Sequence, residues 1–260
     1  MGSRNVLQAT CPWRSVGALA LVLIIGLHAQ TACSEDKPTG ALRCVVRLDG
    51  KAPEARVVKL DAEMRETMGV AEYQEETFLL GKDQGLANCV ILLRAKDPQQ
   101  RAEPRPLKPA TFAKVGVRFQ PRVLVVTPGT NVSLTNEKSP CRGFKVLSCR
   151  NDDHRFAHMV FEGQQERVSF KKPDVCEIGC PLRPYARGFI VVADTPYFAM
   201  TDADGQATVE KIPPGEYEVS LWHESLDGKQ ARKPHTTVVV RTDDTTQLKL
   251  TLPAPKPLAP

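Results

Sequence analysis

Cysteine and histidine supply most of the metal and redox chemistry open to a side chain, and this sequence has eight of the first and five of the second. Eight cysteines are many for a reducing cytoplasm and favour an oxidising compartment. With Cys11 and Cys33 set aside, six remain: Cys44, Cys89, Cys141, Cys149, Cys176 and Cys180. Several disulfide connectivities are open to them, including local pairs 141–149 and 176–180. A thiolate zinc site is the competing chemistry. Cys176-x3-Cys180 has a permissible spacing, but Cys141-x7-Cys149 is no zinc knuckle, and export favours disulfides. His154 and His158 stand four apart, so a helix would set both on one face where they could bind a metal. Asp152 and Asp153 lie beside them. The surrounding Asn, Asp, Arg and Gln point instead to a solvated loop or edge, which is the preferred reading. His223 alternates with Tyr217, Val219 and Leu221 and reads as a buried, hydrogen-bonded histidine. His235, after Pro234, has no evident role. Asp202-x-Asp204-Gly205 lacks the further acidic ligands of a calcium loop and reads as a hairpin turn. No nucleophile motif, phosphate-binding glycine loop or catalytic carboxylate pair occurs, so no catalytic residue is assigned and no enzyme is expected.

The elements that must position these residues read as strands. Leu42 to Leu48 alternates, with Leu42, Cys44, Val46 and Leu48 on one face. Asp61 to Met68 reads as a short helix. Asn88 to Arg94 and Phe189 to Ala193 are apolar on both faces, as in strands buried between layers. Residues 96–112, rich in proline and charge, read as an exposed loop. Val115 to Val126 gives two strands broken at Gln120-Pro121, followed by Asn131 to Thr135 and Arg167 to Lys171. Beyond Asp204-Gly205 come Gln206 to Ile212, Tyr217 to His223, Thr236 to Arg241 and Gln247 to Leu252. With 21 prolines and 17 glycines as punctuation, the pattern is an all-β sandwich or barrel. The net charge of +5, without a basic stripe interleaved with aromatics, excludes a nucleic-acid partner.

At the N-terminus, Arg4 and Arg14 precede an apolar run, Ser15 to Leu27, shorter than the roughly 20 residues of a spanning helix. Residues 1–32 therefore read as a secretory signal. Gln30-Thr31-Ala32-Cys33 resembles a bacterial lipobox, which makes Cys33 the expected lipidation site and the anchor to a membrane. The protein is expected to be exported, periplasmic or outer-membrane-anchored.

Phe119-Gln120-Pro121-Arg122, Pro128-Gly129-Thr130, Val132 and Asn136 resemble the central strands of bacterial cupredoxin-like proteins. The stretch from Cys180-Pro181-Leu182-Arg183-Pro184-Tyr185-Ala186 to Arg187-Gly188-Phe189 is similar to the copper-loop segment of that family. Pro196-Tyr197-Phe198-Ala199, Thr201 to Gly205, Ile212 to Tyr217 and Trp222-His223-Glu224 resemble a carboxypeptidase-regulatory-like (transthyretin-like) β module. That module follows the cupredoxin unit in many exported, planctomycete-type proteins. The resemblance implies an all-β fold: a Greek-key cupredoxin-like sandwich plus the β module. The resemblance covers roughly residues 42–252; together with the N-terminal reading, the chain divides into a signal peptide at 1–32, a linker at 33–41 and an N-terminal β region with its Pro-rich loop at 42–112. The degenerate cupredoxin-like unit follows at 113–194, then the module at 195–252 and a disordered tail at 253–260.

The departures from the family are chemical. A mononuclear cupredoxin site needs two imidazoles and a thiolate, with a weak axial Met. The first imidazole position falls at Arg142, the second at Arg183 and the axial position at Ala186, leaving only Cys180. Guanidinium offers a metal no lone pair. No metal or other cofactor is therefore expected, and the mature protein is expected to carry no stoichiometric copper or zinc. The resemblance also implies that the loops holding Cys141 and Cys180 meet. It suggests nested bridges, 141–180 and 149–176, with Cys44 and Cys89 left to pair with each other. Arg142 and Arg183 would then approach one another as a candidate anion site, with Glu137 or Glu177 as an internal counter-charge and Arg187 and Lys145 nearby. The function expected is non-catalytic binding or structure at the bacterial cell envelope, with an unidentified envelope or secreted partner. The alternatives are a copper electron-transfer protein using Cys180 with displaced histidines, and a hydrolase accessory module presenting a carbohydrate or protein ligand.

Overall fold

A computed structural model describes residues 38–226 and 234–255. The expected signal segment, Cys33 and the end of the proline-rich tail lie outside the described residues. In chain order the elements are β1 (Gly40–Asp49), β2 (Val57–Lys59), α1 (Ala62–Met68), β3 (Glu72–Gln74), β4 (Val90–Ala95), β5 (Ala110–Val115) and β6 (Arg118–Gln120). They continue as β7 (Val123–Val126), β8 (Asn131–Glu137), β9 (Gly143–Ser148), β10 (Ala157–Met159), β11 (Gln165–Ser169), β12 (Asp174–Cys180) and β13 (Arg183–Val192). The last are β14 (Phe198–Met200), β15 (Gln206–Ile212), β16 (Gly215–Trp222), β17 (Pro234–Val240) and β18 (Thr245–Pro253). No helix among the described residues is long and apolar enough to cross a membrane.

The fold is all-β. Its main sheets run β15-β1-β18, β14-β4-β16-β17, β10-β9-β12-β13-β7 and β11-β8-β5-β6. Three apolar interfaces join them in that order. The first holds Leu42, Cys44, Val46, Cys89, Ile91, Leu93, Tyr217 and Val219. The second holds Val90, Val123, Phe189, Val191 and Trp222. The third holds Phe112, Phe119, Leu134, Phe144, Cys176, Ile178 and Ile190. Strand periodicity explains this layering. β1 buries Leu42, Cys44, Val46 and Leu48 and exposes Arg43, Arg47 and Asp49, so only one of its faces is covered. β4 and β13 are apolar on both faces because each lies in an inner sheet: Ile91 and Leu93 face one neighbour, Val90 the other.

Strands β5 to β13 form a two-sheet sandwich of their own, β10-β9-β12-β13-β7 over β11-β8-β5-β6. It is inserted between segments that share sheets: β1 pairs with β15 and β18, and β4 with β14 and β16. Residues 42–95 and 195–253, which the sequence reading separates, are thus woven into one pair of sheets. Two local differences stand out. The exposed loop ends before Ala110, and Phe112, which the sequence reading leaves in it, is fully buried on β5. β9 and β12 are strands that the sequence reading does not assign, because Asp, Glu, Lys and Gly interrupt their apolar character. At the opposite edge, Asp61 caps α1 by accepting from Met64 N–H, and Gly69 closes the helix in the left-handed region at φ 67°.

Candidate functional site

β12 carries chemistry at both of its ends. At its C-terminal end Cys180 is bonded to Cys141, with the Cα atoms 6.5 Å apart, as the resemblance implies. Helix α1 packs over this bridge: Met64 is fully buried against Cys141, Cys180 and Ala186. Arg183 donates through Nε to Asp61 at 2.8 Å and through a terminal nitrogen to Glu63 at 2.8 Å. Its side chain is only 11% exposed. The hydrogen bonds from Arg183 and from Met64 N–H hold the Asp61 carboxyl below its ordinary pKa.

Beneath the bridge lies Lys114, fully buried on β5. Its ammonium donates to the carbonyls of Cys141 and Gly143 and sits 4.1 Å from the Phe144 ring centroid and 5.0 Å from that of Phe119. Burial, reinforced by the charge of Arg183, pushes its pKa down to about 7. The carbonyls and the aromatic faces work the other way, favouring the charged form.

These residues do not fit a copper ion. Of the positions the resemblance assigns to copper, Cys180 is a disulfide sulfur, Arg183 is paired with Asp61 and Glu63, and Ala186 is buried, while Lys114 lies below. The candidate anion site also changes. The counter-charge of Arg183 comes from α1 rather than from Glu137 or Glu177, so its fork is already filled. Arg142 instead stacks over Phe161 at 5.0 Å. Glu177 pairs with Arg187 at 3.6 Å, and Glu75 approaches the same arginine at 3.9 Å.

The N-terminal end of β12 differs. Cys149, Cys176, Cys44 and Cys89 are free thiols, which corrects the expected 149–176 bridge of the nested pairing and the expected pairing of Cys44 with Cys89. Cys44 and Cys89 are neighbours in the outermost core, and burial pushes each thiol up to about 12. Cys149 and Cys176 come together because β9 and β12 run antiparallel with Ser148 opposite Glu177. Their thiols lie near enough to influence each other's protonation, and Cys149 donates to Asn151 O at 3.3 Å.

Asp174, Cys176 and Ile178 alternate inward on β12. A short 3-10 helix, Asp152–His154, brings His154 against them. The ring of His154 is buried, edge-on to Phe170, rather than on a solvated loop, and His158 lies apart on β10, so the two do not share a helix face. His154 Nδ1 is 3.1 Å from Asp174 Oδ2 and 3.9 Å from Cys176 Sγ, while Nε2 accepts from Lys172 N–H at 3.4 Å. Asp174 also accepts from the backbone N–H groups of Arg150, Asn151 and Val175. Burial raises the Asp174 pKa, but these donors outweigh it and hold the carboxyl below its ordinary value. Carboxylate and sulfur face the same ring nitrogen, so the trio is not a relay in which one nitrogen takes a proton while the other is oriented.

The other flagged residues are structural. His223 is fully buried beside Ser225 Oγ at 2.8 Å, and burial lowers its pKa to about 4. His235 lies on β17 and accepts from Leu221 N–H at 3.3 Å. Asp202 accepts from Asp204 N–H and Gln206 N–H in a turn closed by Gly205 at φ +75°.

No protein-family model matches the chain, and no curated protein matches it. Similar solved structures are cupredoxins or contain one. A copper-containing nitrite reductase from Thermus scotoductus SA-01 is 28% identical over 34% of this chain, with a TM-score of 0.30; the match spans only 23% of the reductase. A purple cupredoxin from Nitrosopumilus maritimus is 17% identical over 32% of this chain and 99% of its own, with a TM-score of 0.26. A variant amicyanin in its reduced state is 15% identical over 39% of this chain and 98% of its own, with a TM-score of 0.29.

Proposed function

We propose that this is a non-catalytic binding or structural protein of the bacterial cell envelope. In this reading β5 to β13 are a cupredoxin-like sandwich that has lost its copper ligands. The observation that carries it is the Cys141–Cys180 disulfide beside the Arg183–Asp61–Glu63 cluster, which occupies the metal positions of the resemblance with a covalent bond and fixed positive charge. The outer sheets, β15-β1-β18 and β14-β4-β16-β17, are read as the carboxypeptidase-regulatory-like module, completed by β1 and β4 from the N-terminal region. Export on the segment 1–32 and lipidation of Cys33 anchor it at the membrane.

The test is a copper titration of the mature protein. No visible thiolate–copper band dependent on Cys180 is expected. A blue or purple band that Cys180→Ser abolishes would overturn the reading. Mass spectrometry of the N-terminus tests the anchor: a lipid-modified Cys33 is expected, and an unmodified N-terminus removes it.

A further inference from the structure

The described residues contain one grouping of metal-ligating atoms, away from the Cys141–Cys180 end: His154, Asp174 and Cys176, all buried, with their donor atoms within 4.8 Å of one another. We infer that this end of β12 is a zinc-class metal site, in which His154 Nδ1, Cys176 Sγ, Asp174 Oδ2 and Cys149 Sγ hold one divalent ion. A tetrahedral zinc with bonds of about 2.0 Å to nitrogen and oxygen and about 2.3 Å to sulfur has N···O edges of about 3.3 Å and N···S edges of about 3.5 Å. The observed separations of 3.1 Å and 3.9 Å are close to those edges before any ligand has moved.

Cys149 completes the set. It lies outside that 4.8 Å grouping, one residue past Ser148, which pairs with Glu177 next to Cys176, so its side chain must turn inward to join the other three. It is half-buried and borders an open cleft of about 260 Å³ that supplies an entry path. Two sulfurs, one imidazole nitrogen and one carboxylate oxygen suit zinc and similar borderline-soft ions rather than magnesium or calcium, which prefer all-oxygen shells.

The protons balance. Both thiol protons leave to solvent. The imidazole keeps its one proton: it leaves Nδ1, where the metal takes its place, and is carried on Nε2, which gives up the long contact from Lys172 N–H. Two thiolates and a carboxylate around a dication leave one net negative charge, and Arg150 Nε stands 3.6 Å from Asp174 to meet it. This inference departs from the sequence-based expectation of a metal-free protein. It is also incompatible with a Cys149–Cys176 bridge, since one pair of sulfurs cannot be both.

The experiment takes the mature chain, purified without chelator, maps its thiols by mass spectrometry, and titrates it with cobalt(II) and then zinc(II). About one equivalent of cobalt should bind with a thiolate-to-cobalt charge-transfer band, and zinc should displace it. Cys149→Ser should weaken cobalt binding by about tenfold or more. Cys176→Ser and His154→Ala should abolish the band. Because those two positions are buried and their variants strain the fold, the half-exposed Cys149→Ser is the deciding one. A Cys149–Cys176 disulfide in the isolated protein, the lack of a thiolate band, or unchanged cobalt affinity in Cys149→Ser would each overturn the inference.

Discussion

The two ends of β12 start from similar materials and reach opposite chemistry. Each brings a cysteine on that strand against a cysteine on a neighbouring segment: Cys180 against Cys141, and Cys176 against Cys149. At the first end the nearby charged groups are Lys114 and Arg183, the latter already paired with Asp61 and Glu63, and the sulfurs are joined. At the second they are His154 and Asp174, and the sulfurs are free. A metal cation finds no free ligand atoms in the first set, whose sulfurs are bonded to each other and whose carboxylates are taken by Arg183, and finds lone pairs in the second. What decides whether paired cysteines can act as ligands is therefore the sign and donor character of the residues one layer away, rather than their spacing.

Breaking the first end should have the largest effect. Replacing Cys141 and Cys180 together by serine frees a loop spanning 39 residues, which should cost about 4 kcal/mol in urea unfolding. A much smaller loss would mean that α1 and its ion pairs hold this end without the bridge.

Lys114 sharpens the same point through pH. Its pKa is about 7 in the folded chain against 10.5 for an ordinary lysine, so the unfolded chain binds the extra proton between those values. Stability should therefore rise from pH 7 toward pH 10, by at most about 3.5 kcal/mol, and by less to the extent that the carbonyls and aromatic faces hold the ammonium charged. Lys114→Met should flatten that rise in denaturation curves measured across the range, and a wild-type curve that is already flat would contradict it.

At the second end, Asp174→Asn removes the charge that organises three backbone N–H groups and His154. A loss of about 3 kcal/mol is expected, with the His154 imidazole resonances displaced in NMR spectra. The smallest effect belongs to Arg183→Ala, whose carboxylate partners are half-exposed or more and screened by solvent. Its shift in denaturation midpoint should fall below the other three and shrink further in salt. A shift rivalling that of the disulfide variant would make the ion pairs, rather than the covalent bond, the organising feature of that end.

Much of the fold was legible in the residues. β1 and β15 to β18 announce themselves by alternation, and α1 by Asp61 before it and Gly69 after it, because these are local signals. The Cys141–Cys180 bridge was legible through resemblance, since spacing leaves the pairing open. Long-range choices were hidden. Nothing near Arg183 indicates that its carboxylates come from a helix more than a hundred residues earlier. His154 sits among Asn, Asp and Arg and looks solvated. It is buried because Asp174, twenty residues later, takes up the backbone donors around it, and no local composition encodes that. The neighbourhood of Cys149 and Cys176 was legible only through the resemblance, and their oxidation state depends on the histidine and carboxylate that the fold adds.

The parallel pairing of β1 with β18, from Ala41 beside Thr245 to Asp49 beside Pro253, sets an order on synthesis. The inserted sandwich has all its strands once Val192 has emerged and can collapse on nearby partners. β1 must wait about two hundred residues, an entropic closure that grows slowly with length but cannot begin early. Until then the edge of β1 that β18 will pair leaves its backbone N–H and C=O groups open on the nascent chain. The last strand of the fold is the latch that hides its first, so a chain cut short before β18 would present that edge as a template for aggregation.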